Sequence, residues 1–269
     1  MRVELFTVLS LLTPILLAAS APGQEATPKP LPAAHAHNDY RHPRPLLDAL
    51  DHGFCSVEAD IFLVDGQLLV GHDREELRPE RTLQRLYLDP LRHRVQANGG
   101  RVYENGPTVT LLIDIKEDGE ATWAVLNRVL ASYRSMLARV ENGEYHPGAV
   151  QVVISGDRPK EAIAAESIRY GGIDGRLSDL DSTLPAHLLP LISDRWTSHF
   201  RWSGEGEFPA EERGKLQSIV EQAHAAGRRV RFWATPEKPA VWRELSAAGV
   251  DHINTDRLAE LEAFLRESR

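Results

Sequence analysis

Glu58-Ala59-Asp60 places two carboxylates on alternate residues of an apolar run, Ser-Val-Glu-Ala-Asp-Ile-Phe-Leu. Alternate residues of a β-strand share a face, so both acids can hold one cation. Upstream lies Ala34-His35-Ala36-His37-Asn38-Asp39-Tyr40, and downstream Leu69-Val70-Gly71-His72-Asp73. Histidines flanking a carboxylate-bound divalent ion suit metal-assisted acid–base chemistry, because imidazole exchanges protons near neutral pH. An oxygen-rich donor set favours Mg²⁺ or Ca²⁺ over a softer metal.

Those residues need strands to carry them. Residues 31–37, 56–63, 108–116, 149–155, 173–177, 188–194, 229–234 and 250–255 are rich in β-formers. Val64-Asp65-Gly66-Gln67 carries a hairpin turn signal, after which 68–72 returns as an extended segment. Helical spacing predicts helices over 45–52, 83–97, 122–140, 159–170, 210–226, 237–248 and 258–267. Gly171-Gly172 is expected to close the fourth of these. Strand alternating with helix about eight times predicts an α/β protein, a single-domain TIM-type (β/α)8 barrel.

In such a barrel the chemistry sits at the carboxyl ends of the strands. Polar residues fall there repeatedly: His35, His37 and Asn38; Glu58 and Asp60; His72; Asp114 and Lys116; Ser155; Asp194; Arg231 and Trp233; Asn254 and Asp256. Asn38 is placed to contact phosphate or metal or to close its turn. Trp233 is a candidate wall for an alcohol group. Asp256 stands where an aspartate caps the helix beginning at Leu258. His35 shares strand parity with His37, and either can be the first proton-transfer residue.

This ordered set, with Asp65-Gly66-Gln-Leu-Leu-Val-Gly-His72-Asp73, Leu-Leu-Ile-Asp114-Ile-Lys116 and Gly249-Val-Asp-His-Ile-Asn-Thr-Asp256, resembles the glycerophosphodiester phosphodiesterase-like branch of the phosphatidylinositol-phospholipase-C-like superfamily. The resemblance implies His37 and His72 as an acid/base pair and Glu58, Asp60 and Asp114 as ligands of a divalent metal. It implies Lys116 as a phosphate contact. The usual opening His-Arg-Gly and Pro-Glu-Asn-Thr is absent, and Asp114 stands where glutamate is usual. His-x-His-Asn-Asp-Tyr is instead similar to the altered-inheritance-of-mitochondria type. The expected activity is metal-dependent hydrolysis of glycerophosphodiester or phospholipid-type substrates, with Asn38, Lys116 and Trp233 binding substrate. Two other readings use the same residues: an amidohydrolase-like barrel, in which His35 and His37 clamp a metal and Asp256 serves the last strand, and a non-catalytic ligand-binding barrel.

The remaining features bound the setting. Arg2, the apolar run 5–17 and Ala-Ala-Ser-Ala-Pro-Gly predict a signal peptide over 1–23 and hence a secreted or periplasmic protein. Residues 24–32 form a Pro/Ala-rich spacer before the barrel of 33–269. A formal net charge of -8 and no basic stripe argue against nucleic acid as partner. Cys55 is the single cysteine, which excludes an intrachain disulfide. A monomer acting on a small-molecule or lipid-derived phosphodiester is expected.

Overall fold

The strand that carries Glu58 and Asp60 is buried along nearly its whole length, as a strand flanked on both sides and covered on its outer face must be. In the computed structural model, which describes residues 28–267, this strand is β2 (Phe54–Val64) of a closed parallel barrel. The others are β1 (Leu31–Ala36), β3 (Val109–Ile115), β4 (Val150–Gly156), β5 (Gly171–Gly175), β6 (Leu191–Arg195), β7 (Arg229–Trp233) and β8 (His252–Thr255). They pair in chain order, and β1 pairs with both β2 and β8, which closes the ring. The predicted (β/α)8 barrel is therefore the observed fold. The expected signal peptide, 1–23, lies outside the described residues, and β1 takes up the last two positions of the expected spacer.

The covering helices are α1 (Leu47–Asp51), α2 (Asp89–Ala97), α3 (Gly119–Ala131), α4 (Lys160–Ala165), α5 (Trp196–His199), α6 (Ala210–Ala225), α7 (Pro239–Ala247) and α8 (Leu258–Glu267). A π-helical turn, Gln84–Leu88, runs into α2. Between strands and helices lies the main core, to which Val57, Ala59, Ile61, Leu111 and Ile113 contribute their outward-facing side chains. Among the described residues no helix is long and apolar enough to cross a membrane.

The lumen is layered by the period of two. Thr110, Leu112 and Asp114 share one face of β3, and Gln151, Val153 and Ser155 share one face of β4. Leu112, Val153 and Leu191 form a small apolar cluster separate from the main core. Polar side chains lie above and below that layer, so the barrel has two polar ends and a dry middle.

Two predicted helices are shorter than their spacing implied. The expected helix 122–140 ends at Ala131, because Ala138 N–H donates to Val150 O (2.8 Å) and Arg139–Glu141 pairs with Glu144–His146 in a small outer sheet. The expected helix 159–170 ends at Ala165, because Ile168–Arg169 pairs with that same sheet. Gly171 and Gly172 do not close a helix but open β5. A Cβ on Gly172 would meet Pro190 Cδ at 2.6 Å, so glycine is what lets the chain pass there.

Candidate active site

Asp60 and Asp114 lie side by side in the β2–β3 register, with Glu58 one pleat deeper on the face of Asp60. Glu58, Asp60 and Asp114 each offer a carboxylate oxygen, and the three oxygens lie within 4.8 Å of one another. It is the one such cluster of acidic, histidine or cysteine ligands among the described residues. Gly156 ends β4 at φ +70°, and a Cβ there would lie 2.3 Å from Asp114 Oδ1. The backbone thus leaves room for that carboxylate only because residue 156 is glycine.

Asp60 is the hub. Its Oδ2 accepts from Lys116 Nζ (2.7 Å) and His72 Nδ1 (2.9 Å), and lies 2.8 Å from the hydroxyl of Tyr40. That hydroxyl also lies 2.7 Å from Asn38 Oδ1, its alternative acceptor. Asp60 Oδ1 is buried and has no hydrogen-bond partner. A buried carboxylate oxygen left unpaired is costly unless a cation meets it. The three-acid donor set therefore fits a hard divalent ion, which resolves both the orphan oxygen and the mutual repulsion of the carboxylates.

The charges around the triad are graded. Burial pushes the Asp114 carboxyl up to about 6, against the attraction of Lys116 at 3.5 Å. Burial also pushes Glu58 up, but Arg231 and His35 more than offset it and hold that carboxyl well below the usual range. Burial would lower Lys116, yet Asp114 and Asp60 keep its ammonium above the ordinary value. Burial and then Asp60 push the Tyr40 hydroxyl far up, so it stays protonated as a donor.

The two histidines of His35-Ala36-His37 do different things. His35 is buried at 1 % exposure; its Nε2–H faces Glu58 Oε2 (3.2 Å) and its Nδ1 faces the hydroxyl of Ser56 (2.7 Å). Burial, with Arg231 second, lowers its pKa to about 3, so it is a neutral ring that orients Glu58. His37 lies beyond the end of β1, and its Nδ1–H donates to Asp256 Oδ1 (2.7 Å). Burial lowers its proton affinity, but the Asp256 hydrogen bond outweighs that and the net pKa is raised. Both ring nitrogens of His35 are occupied, so the pair forms no metal clamp. That removes the structural basis of the amidohydrolase-like reading.

His37, Asn38, Glu58, Asp60, His72, Asp114, Lys116 and Trp233 all line one cleft of about 230 Å³. Asp256 does not cap the helix at Leu258, contrary to expectation; its carboxylate is taken by His37 and Asn38, and Thr255 Oγ1 accepts from Arg257 N–H instead (2.9 Å). Tyr40 and Arg176 join the site beyond the residues expected there, and Arg231 joins it from the expected set of strand-end polar residues. Arg231 is ion-paired with Glu58 and donates to Asn254 Oδ1 (2.9 Å). Arg176, held by Asp174 Oδ2 (2.9 Å), stacks its guanidinium 4.9 Å over the ring of Trp233. Tyr40 has a sequence signal in its place in the His-Asn-Asp-Tyr run and Arg231 in its place at a strand end, whereas Arg176 has none.

Fold and site together define a phosphoric diester hydrolase of the glycerophosphodiesterase-like branch of the phospholipase-C-like barrels. A model of the AIM6-like phosphodiesterase domain matches residues 25–171, and one of the glycerophosphoryl diester phosphodiesterase family matches 229–259. The chain belongs to the altered inheritance of mitochondria protein 6 family. It is 32 % identical over 260 residues to the homolog of that protein in Arthroderma benhamiae, covering 84 % of this chain and 81 % of that one. It is 32 % identical over 289 residues to the Eremothecium gossypii protein, covering 90 % and 73 %. Among solved structures, a glycerophosphodiester phosphodiesterase from Parabacteroides distasonis shares the fold with a TM-score of 0.51 at 14 % identity, over 89 % of this chain and 99 % of that one. One from Agrobacterium tumefaciens shares it with a TM-score of 0.51 at 18 % identity, over 87 % and 97 %.

Proposed function

We propose that this chain hydrolyses glycerophosphodiester or phospholipid-type substrates with Mg²⁺ or Ca²⁺ held by Glu58, Asp60 and Asp114. The observation that carries the reading is the orphaned, buried Asp60 Oδ1 within a triad of converging carboxylates. A bound divalent cation offsets the charge of the phosphodiester and stabilises the charge that builds on its phosphoryl oxygens. Lys116 adds a fixed positive charge on the same rim.

Proton transfer falls to His37 and His72. Asp256 fixes Nδ1–H of His37, which leaves Nε2 to carry the working proton. Its raised pKa suits it to protonate the leaving alkoxide. His72 donates Nδ1–H to Asp60 Oδ2, so its Nε2 lone pair is free to take a proton from water or from a substrate hydroxyl. Asn38 and Trp233 then border the alcohol portion. A cleft of about 230 Å³ is small for a ligand pocket and suits a phosphoryl headgroup with lipid chains left outside.

The test is a panel of glycerophosphodiesters, lysophospholipids and sphingomyelin, assayed for alcohol release with Mg²⁺, with Ca²⁺ and with chelator. Turnover of one class that chelator abolishes is expected; turnover indifferent to chelator, or none on any member, refutes the reading. The N-terminal apolar run supports export, which cell fractionation checks. Sizing chromatography tests the expected monomer.

A further inference from the structure

The opposite end of the barrel holds a second cleft, built around two arginines that no carboxylate neutralises. Arg229 opens β7 and reaches across the barrel mouth, where Nη1 donates to Thr110 Oγ1 (2.7 Å) and His252 Nε2 (3.0 Å) and Nη2 donates to Gln151 Oε1 (2.6 Å). Arg169, 5 % exposed, donates from Nη2 to His187 Nδ1 (3.0 Å) and, more weakly, to His187 O (3.4 Å). Among the described residues neither guanidinium has an acidic oxygen within the 4.0 Å of an ion pair, whereas Arg231 and Arg176 in the active site each have one. Asp251 acts on Arg229 only through space, since its Oδ2 already accepts from His224 Nε2 (2.8 Å) and Val230 N–H (2.8 Å).

Each guanidinium has five N–H donors and spends only some of them on protein acceptors. Burial pushes both below the ordinary arginine range, on Arg229 against the opposing charge of Asp251. They border adjoining hollows: one of about 450 Å³ beside Arg229, and beside Arg169 a recess of about 10 Å³, room for little more than a water. Tyr145, Gln151 and His187 line both. Tyr145, 41 % exposed, stacks on His187 with ring centroids 6.0 Å apart and planes 11° from parallel. This cleft is separate from the active site. Leu112, Val153 and Leu191 lie between, and the four residues from Thr110 to Asp114 span about 13 Å at a strand rise of ~3.3 Å per residue.

Buried, uncompensated positive charge with unspent donors is a receptor for an anion. We propose that this cleft is a second ligand site that takes a phosphate dianion, free or as a phosphomonoester, in the hollow beside Arg229, with Arg169 supplying a second positive charge behind the His187 wall that both hollows share. The Tyr145–His187 stack is then a flat wall for the organic group of a monoester. The proposal stands on the geometry of this end alone and does not depend on the phosphodiesterase reading.

Calorimetric titration of the full chain in chelator, with inorganic phosphate and with phenyl phosphate, tests it. Wild type is expected to bind both saturably, and Lys116→Ala, which alters only the active-site cleft, to bind with unchanged affinity. Arg169→Gln is expected to weaken both ligands by about tenfold or more, in line with loss of a charge-assisted bond. Tyr145→Ala, a surface change that leaves the fold intact, is expected to weaken phenyl phosphate and leave inorganic phosphate unchanged. If Arg169→Gln loses its circular-dichroism signal, Arg169→Lys keeps the charge without the fork and is expected to bind both ligands more weakly. Equal affinity for the two ligands, unaffected by Tyr145→Ala, supports free phosphate as the occupant. No saturable binding, or binding abolished by Lys116→Ala but untouched by the Arg169 variants, overturns the site.

Discussion

Asp60 Oδ2 lies 2.9 Å from Nδ1 of His72, so the acid at the centre of the triad also orients a half-exposed histidine. The two jobs use different oxygens, since Oδ1 is the one left without a partner. His72→Ala is therefore expected to reduce turnover by about 10²–10⁴-fold, the usual worth of a positioned acid or base, with little change in metal affinity. Asp60→Ala is expected to lose both. Calorimetric titration of Mg²⁺ or Ca²⁺ into the two variants separates these outcomes, and equal affinity losses would contradict the division.

His37 and Asp256 set a pH dependence of definite sign. The folded pKa of His37 is raised above its ordinary 6.5, so the stabilisation it adds is complete below pH 6.5 and fades as pH rises through the folded value. If His37 is the proton donor, kcat falls over that same alkaline limb. Asp256→Asn is expected to move the limb towards acid, since the hydrogen bond and charge that raise His37 are lost. A pH–kcat profile of both proteins checks this; an unmoved limb assigns the proton elsewhere.

Asp39 behaves in the opposite sense from most carboxylates. It is fully buried, accepts the backbone N–H of Leu46 (2.5 Å) and the hydroxyl of Tyr87 (2.9 Å), and has its other oxygen unpaired. Burial pushes its pKa up to about 7 from 3.8, so between these values the folded chain holds a proton that the unfolded chain lacks. Stability from this group falls as pH rises across that window, by on the order of 4 kcal/mol. Asp39→Asn is expected to flatten the slope of Tm against pH from about 4 to 7 relative to wild type.

Gly156→Ala is expected to damage the metal site more than the fold. The positive φ costs about 1–2 kcal/mol for a residue with a Cβ. The added carbon would also meet Ile115 O at 2.2 Å and Asp114 Oδ1 at 2.3 Å. Displacing that carboxylate by about 1 Å is expected to lower turnover about 100-fold, with metal affinity falling too. Thermal melts beside metal titrations read the two effects separately.

Trp233→Ala removes the face on which Arg176 stacks. Loss of that wall is expected to raise KM several-fold, about 0.5–1 kcal/mol, with kcat little changed. A fall in kcat with constant KM would place the ring in the chemistry instead.

The strands that build the site are legible in sequence because a buried parallel strand must be apolar, which makes Glu58, Asp60 and Asp114 conspicuous within Val57–Ile61 and Leu111–Ile115. Their convergence follows from alternation and adjacent register. Arg231 and Asp256 are visible as strand-end polar residues, but their pairings are not, since their partners Glu58 and His37 are distant in the chain and meet only once the barrel closes. The overrun helices have a related cause. Leu137 and Val140 extend an apolar stripe, but pairing with Val150 and with the outer sheet offers that backbone better partners than a further helical turn.

The two histidines of the site are stitched into the chain over very different spans. Asp60 and His72 sit on β2 and on the segment that folds straight back along it, from Gln67–Val70, across a turn in which Asp65 and Gly66 both take positive φ. The His37–Asp256 bond spans 219 residues, at the seam where the backbone of His37 also donates to Thr255 O (3.0 Å). Short-range closure sets Asp60 against His72, while the His37–Asp256 pair waits for the ends of the chain to meet. Parting β1 from β8 at that seam would separate His37 from Asp256 while leaving Asp60 beside His72, so catalytic competence would report whether the ring is shut.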